Sequence, residues 1–117
     1  MKSKNRLTKR TDFERVRREG TSYAHPLIVL VAHPNELAIS RIGVAAGRSI
    51  GTAVARNRAK RRMREAIRPL IPYMLTGWDL LFLARRPLLQ ADFQDLRLSV
   101  KKVLQRAKLF RESLQTL

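Results

Sequence analysis

The chain has 117 residues, with 25 Lys or Arg against 9 Asp or Glu, a net charge of +16 and no cysteine. That inventory excludes disulfides, Cys-zinc sites and thiol chemistry. No apolar run nears the roughly 20 residues that span a bilayer, and no signal-peptide core follows the basic N-terminus. With 44% apolar residues and five each of Gly and Pro, the composition is that of one globular domain, 1–117, in a cytoplasmic protein. A positive field of this size favours RNA, DNA or an anionic membrane as partner.

Met1 to Arg10 is polar and basic around Leu7 and reads as a mobile arm. Thr11-Asp-Phe-Glu14 has capping-box spacing, which predicts a helix running to Glu19 and stopping at Gly20 in the left-handed conformation. Phe13, Val16 and the stem of Arg17 form its inner face. A short extended piece near Thr21–Ala24 precedes the β-rich Leu27-Ile-Val-Leu-Val-Ala32, and His33-Pro-Asn-Glu36 reads as a turn. Leu37 to Ala46 predicts a second long strand, with Ile39, Ile42 and Val44 in the core. Gly47-Arg-Ser-Ile-Gly51 is a loop into a helix that Pro69 ends. After a connection over Leu70 to Gly77, Trp78-Asp-Leu-Leu-Phe-Leu-Ala84 is almost continuously apolar, as a strand buried on both faces requires. Arg85-Arg86-Pro87 closes it. Asp92 is placed to cap a last helix, whose apolar spacing runs from Phe93 through Val100, Val103 and Phe110 to Leu114. The order is helix, two or three strands, basic helix, strand, helix: a small α+β sandwich with sheet on one side and helices on the other.

The segment from Gly47 to Arg68 holds eight Arg or Lys against one acid, Glu65. At about 100° per residue from Thr52, Ala55, Ala59, Met63, Ala66, Ile67 and Leu70 share one arc. Arg58, Lys60, Arg61, Arg62, Arg64 and Arg68 fill the rest with Asn57, and Arg56 sits at the margin. Like charges at i,i+4, such as Lys60/Arg64, cost a few tenths of a kcal/mol each. A packed helix with a one-sided guanidinium surface faces a polyanion; a merely solvated face mixes Glu with Lys.

No catalytic set accompanies this surface. His25 and His33 each stand beside a Pro, without a Ser or acid at triad-like spacing, and the carboxylates are scattered. Asp92 and Asp95 share a helix start, where they serve the helix dipole. Gly43-Val-Ala-Ala-Gly47 with Gly51 lacks the order of a nucleotide-binding loop. A metal site is not expected in the chain.

Arg56-Asn-Arg-Ala-Lys-Arg-Arg-Met-Arg64, introduced by Gly47-Arg-Ser-Ile-Gly-Thr-Ala-Val54, resembles the RNR motif of the bacterial ribonuclease P protein subunit. Asn5-Arg-Leu7 with Asp12-Phe13 and Gly20 resembles that family's opening. Arg41-Ile-Gly-Val44 resembles its strand before the motif, and Trp78 to Pro87 its last strand. The resemblance implies an αβββαβα fold, a two-layer sandwich on a four-stranded sheet with a left-handed βαβ crossover, against the usual right-handed rule. It implies a protein that assists a catalytic RNA in removing the 5′ leader of precursor tRNA, with Mg²⁺ held mainly by the RNA and substrate. No catalytic residue and no obligatory protein partner are expected in or for this chain. Arg56, Asn57, Arg58, Lys60, Arg61 and Arg64 match the motif that faces the catalytic RNA, with Arg48 and Arg68 beside them. Phe13 matches a cleft aromatic for the single-stranded leader, where stacking suits unpaired bases; the alternative for Phe13 is plain core packing.

Four positions depart from the family pattern. Arg17 stands where a second helix aromatic is common, Ile28 and Val31 where strand aromatics line the cleft, and Ser49 where a Lys is common. Leader binding is therefore expected to rely more on charge and apolar contact. A ribosomal-type protein that scaffolds RNA is the alternative of the same charge. A DNA-binding recognition helix would follow another helix closely, whereas strands precede this one. A membrane-surface helix would carry Trp, Phe or Leu rather than mostly Ala.

Overall fold

Two strands that are almost continuously apolar decide the architecture, because each needs cover on both faces. The computed structural model describes residues 5–111. In chain order it has α1 (Arg10–Glu19), β1 (Thr21–Ala24), β2 (Ile28–Pro34), β3 (Arg41–Ala45), α2 (Ala53–Ile67), β4 (Trp78–Ala84) and α3 (Phe93–Arg106). Short 3₁₀ turns occupy Arg48–Ile50, Arg68–Tyr73 and Arg86–Gln90. The sheet order is β1-β2-β4-β3; β4 runs antiparallel to β2 and parallel to β3, with α2 in the crossover.

Ile28, Leu30, Leu80 and Phe82 point to one face, where they pack with Met63 and Ile67 of α2 and with Leu96, Val100 and Leu104 of α3. Val31 and Leu81 point to the other, where they meet Val16 of α1 and Leu7 in a smaller core. The helices are thus not gathered on one side as the pattern predicted: α1 alone covers the second face. A lone helix cannot cover a whole sheet face, and the uncovered part becomes the site.

α1 begins at Arg10 with Lys9 in the capping position and no side-chain cap, so Thr11 lies inside the helix and the predicted capping box does not form. Gly20 ends the helix as expected but in extended conformation, φ −79° and ψ 168°. Space explains the glycine: a Cβ there would stand 2.6 Å from the Val16 carbonyl oxygen, 2.7 Å from Val31 Cγ1 and 2.9 Å from the Ala32 carbonyl oxygen. Two of the three obstacles are backbone and cannot rotate away. Gly20→Ala is expected to destabilise the fold by about 1–3 kcal/mol, the usual cost of overpacking, read from the denaturant midpoint.

The opening segment is no mobile arm over Asn5–Lys9. The Leu7 N–H donates to the Ile42 carbonyl at 2.8 Å, Asn5 Nδ2 donates to the Ser40 carbonyl at 3.2 Å, and Leu7 is buried. Residues 1–4 of that expectation lie outside the described part. β2 extends through His33 and Pro34, and β3 starts only at Arg41. Asn35 is the reason: its Oδ1 accepts from the Leu37 N–H at 2.7 Å and its Nδ2 donates to the Ile39 carbonyl at 3.1 Å, closing a turn over Glu36 at φ 62°. Ile39 therefore precedes the strand, half-buried. α3 stops at Arg106, and Lys108 at φ 57° turns the chain back so that Leu109 and Phe110 enter the core. The helix predicted to run on is thus absent over 107–111, and its last part, 112–114, lies outside the described residues.

Candidate nucleic-acid interface

Thr52 starts the basic helix: its Oγ1 accepts from the Ala55 N–H at 3.2 Å. Ala59, Met63, Ala66 and Ile67 bury the apolar stripe against the sheet and α3, as the spacing predicted. That burial turns Asn57, Arg58, Arg61 and Arg68 outward into solvent, with Arg48 exposed on the preceding turn. Arg56, Lys60 and Arg64 are half-buried. Val54, 78% exposed, stands among them; it falls about 200° from Thr52 in the helical projection, opposite the stripe, which is the signal for it.

Arg62 is different. Its Nη1 donates to the Leu88 carbonyl at 2.6 Å and its Nη2 to the Ala91 carbonyl at 2.7 Å, capping the turn after β4. Arg62→Met is expected to cost about 1.5–3 kcal/mol of stability, the range for charged hydrogen bonds, while leaving the salt dependence of RNA binding unchanged. Parallel melting and binding titrations check both halves.

Beside α2, Arg6, Phe13, Gly43, Lys60 and Arg64 line a groove of about 240 Å³. Partial burial, and then the neighbouring charge of Arg6, hold the Arg64 guanidinium below its usual pKa, though an arginine stays protonated at any physiological pH. No carboxylate lines this groove, so its cations are presented to a ligand. Gly43 admits the ring: a Cβ there would sit 2.8 Å from Phe13 Cε1 and 2.9 Å from the Leu7 carbonyl oxygen. Phe13 is half-buried over the β3 backbone, with one side held and the rest accessible. Neither Gly43 nor Arg6 was singled out from the sequence for this site.

The α1 side of the sheet is organised in three rows set by strand register. Ala24, Val29, Leu83 and Ala45 are paired across all four strands; so are Ser22, Val31, Leu81 and Gly43; His33, Asp79 and Arg41 form the third row. α1 lies over the second row, where Val31 and Leu81 are buried. In the first row Val29, Leu83 and Ala45 remain half-exposed, an apolar floor beside the helix. At the end of this floor a wider basin of about 630 Å³ is lined by His25, Ser49, Arg85 and Arg86 among others. Burial, with Lys102 and Arg106 nearby, lowers the His25 pKa, and its Nδ1 accepts from the Leu27 N–H at 3.2 Å. Ile28 does not belong to this cleft. It lies three residues from Val31, so strand alternation turns it to the opposite face, where it is fully buried against α2 and α3. Val29 holds the place expected of Ile28, and Val31 is floor beneath α1 rather than open surface. Arg17 is exposed on the helix above.

The third row is polar, with Asp79 buried at its centre. Asp79 accepts from Arg41 Nε at 2.8 Å and Nη2 at 2.7 Å, from Asn35 Nδ2 at 3.0 Å and from Arg15 Nη2 at 3.1 Å. Burial alone would raise the Asp79 carboxyl, but the hydrogen bonds from Arg41 and Asn35 and the charges of Arg41 and Arg15 outweigh it and bring it below its ordinary value. Asp79 also passed unnoticed in the sequence, although a lone acid inside an apolar strand was the signal for it. Among the described residues no three His, Cys, Asp or Glu side chains converge as a metal site, and no helix is long and apolar enough to cross a membrane.

A one-sided cationic helix packed on a mixed sheet, continuous with a groove that offers one aromatic ring and an apolar floor, defines an RNA-binding domain. The sequence pattern of the Ribonuclease P family matches residues 1–108, and the chain belongs to that family. It is 43% identical to the ribonuclease P protein component of Roseiflexus castenholzii over 108 residues, covering 92% of this chain and 88% of that one. With the corresponding component of Herpetosiphon aurantiacus the identity is 38%, over 96% and 91% of the two chains. Its fold is similar to the RNase P protein of Staphylococcus aureus, with a TM-score of 0.81, 30% identity and coverage of 92% and 98%. The RNase P protein of Thermotoga maritima gives a TM-score of 0.77 at 30% identity, covering 86% and 96%.

Proposed function

We propose that the chain is the protein subunit of a ribonuclease P holoenzyme. The exposed face of α2, with Arg48, Arg56, Asn57, Arg58, Lys60, Arg61, Arg64 and Arg68, binds the catalytic RNA, and the groove beside α1 takes the unpaired 5′ leader of precursor tRNA. The observation that carries this reading is the continuity of the two surfaces: Lys60 and Arg64 of the basic helix and Phe13 of α1 line one groove. A strand leaving the RNA-facing side can place a base on Phe13 and run along Val29, Leu83 and Ala45, with Arg17 and the basin arginines near its phosphates. Stacking on one ring supplies roughly 1–3 kcal/mol per base, and the cations add a salt-screened share.

The hydrolysis belongs to the RNA, with Mg²⁺ held by RNA and substrate. Among the described residues the carboxylates do not fit a Mg²⁺ site, since the one buried acid there, Asp79, is already occupied by two arginines and Asn35. A cytoplasmic setting, where precursor tRNA is made in bacteria, completes the reading. The test is reconstitution with a bacterial ribonuclease P RNA and measurement of affinity for precursor and mature tRNA. The protein should raise the preference for precursor, and Phe13→Leu combined with Arg17→Ala should abolish most of that gain at high salt. An unchanged preference in the double variant would remove the leader from this groove.

A further inference from the structure

Helical projection divides α1 into two flanks. At about 100° per residue from Asp12, Glu19 and Arg15 fall near 340° and 300°, Val16 near 40°, and Phe13 and Arg17 near 100° and 140°. Val16 is the downward apex, buried between Val31 and Leu81. The Asp12–Arg15–Glu19 flank is tied to the third row of the sheet. Arg15 bridges Asp12 and Asp79, both at 3.1 Å, Asp12 stands 3.5 Å from Arg41, and Glu19 stands 3.5 Å from His33. The opposite flank carries Phe13, which lines the groove, and the exposed Arg17 beside it, and no polar tie to the sheet is seen on it among the described residues.

A helix seated on one small apolar core can roll about its axis, because apolar contact is not directional. What opposes the roll here is the ionic flank. Asp79 is its fixed point, fully buried in the central strand β4 and held by β3 through Arg41 and by the β2–β3 turn through Asn35. We propose that Asp79 and Arg15 are positioning residues for the leader: their ion pair sets the roll of α1, and with it the height of Phe13 and Arg17 above the Val29–Leu83–Ala45 floor. The inference rests on the leader reading of the groove for its functional consequence, but not for its geometry.

The chain has no cysteine, so label sites can be introduced at will. Thr11→Cys and Arg86→Cys, both exposed and making no ion pair seen among the described residues, carry spin labels across the cleft in the full-length protein. In this background Arg15→Met removes the direct link from α1 to Asp79 and leaves the Asp79–Arg41 pair in place, so the sheet keeps its buried ion pair. Asp79→Asn removes the fixed point and is the stronger but less stable variant. The expected result is a broadened label–label distance distribution in Arg15→Met, with helix content unchanged by circular dichroism. In unlabelled holoenzyme carrying Arg15→Met, the precursor-to-mature affinity ratio should fall by about threefold or more while affinity for the catalytic RNA holds. A distance distribution identical to the parent's overturns the positioning role. A broadened distribution in a holoenzyme whose parent never preferred precursor would uphold the role of Arg15 and Asp79 and sink the leader reading instead. A broadened distribution with the parent's full precursor preference retained would overturn the link between roll and leader selection.

Discussion

Replacing Arg58, Arg61 and Arg64 together with alanine is expected to weaken binding to the catalytic RNA by about two to three orders of magnitude at 0.1 M salt, without unfolding the domain. The size follows from counterion release: each phosphate contact contributes about 0.7–0.9 to the slope of log affinity against log salt, so three contacts remove roughly 2–3 units of slope. The fold should persist because these three side chains make no hydrogen bond or ion pair among those seen in the described residues, and the apolar stripe of α2 is untouched. Relieving like-charge pairs such as Lys60/Arg64 should even add a few tenths of a kcal/mol. Affinity titrations across salt, run beside thermal melts, check both statements. A retained slope in a folded triple variant would move the RNA contact away from α2. Arg62→Met serves as the internal contrast, because the same charge is lost from the same helix where its head is already committed to two carbonyls.

Arg41→Met should destabilise the domain by about 3–5 kcal/mol, toward the lower end because Arg15 and Asn35 continue to serve Asp79. The side chain of Asp79 is 0% exposed, so removing its principal partner strands a buried charge that cannot recruit water. Against a total stability of about 5–15 kcal/mol, a loss of that size is a large fraction. The pH dependence has a definite sign. The Asp79 carboxyl is held below its ordinary value in the folded state, so its stabilisation is complete above the unfolded value of about 4 and disappears as pH falls through the folded one. The stability gap between parent and Arg41→Met should therefore be widest at neutral pH and narrow below about pH 4. Denaturant titrations at several pH values measure it, and a gap independent of pH would deny Asp79 its charge in the fold.

Much of the basic face was legible in advance because a helix obeys one period, and a stripe of Ala59, Met63, Ala66 and Ile67 leaves only one orientation for the arginines. Strands were harder. The apolar run of β2 gives no clue, position by position, to which face is open, and so nothing in it corrects the resemblance that places Ile28 beside Val31 in the cleft. Only the in-register pairing of Val29, Leu83 and Ala45, contributed by three strands distant in sequence, marks the floor. The placement of α1 was similarly hidden, since a continuous apolar strand shows that both faces are covered but not by what. Gly20 and Gly43 were visible as glycines, yet their reason is a neighbour's atoms rather than their own backbone angles. The turn at Asn35 shortened the strand predicted from Leu37, because one side chain took hydrogen bonds that a ladder would have used.

The sheet order β1-β2-β4-β3 also has a consequence for how the chain is made. β4 is an inner strand, yet it is the last of the four to leave the ribosome, some thirty residues after β3. Until it arrives, β2 and β3 have no common neighbour, and Arg15 and Arg41 wait without the carboxylate that unites them. Loop closure must therefore precede much of the sheet's reward, so the sheet cannot be completed strand by strand from the N-terminus. A nascent chain halted before Trp78 would expose the open edges of β2 and β3 beside a strongly cationic helix, and the polyanion nearest at that moment is the ribosome itself.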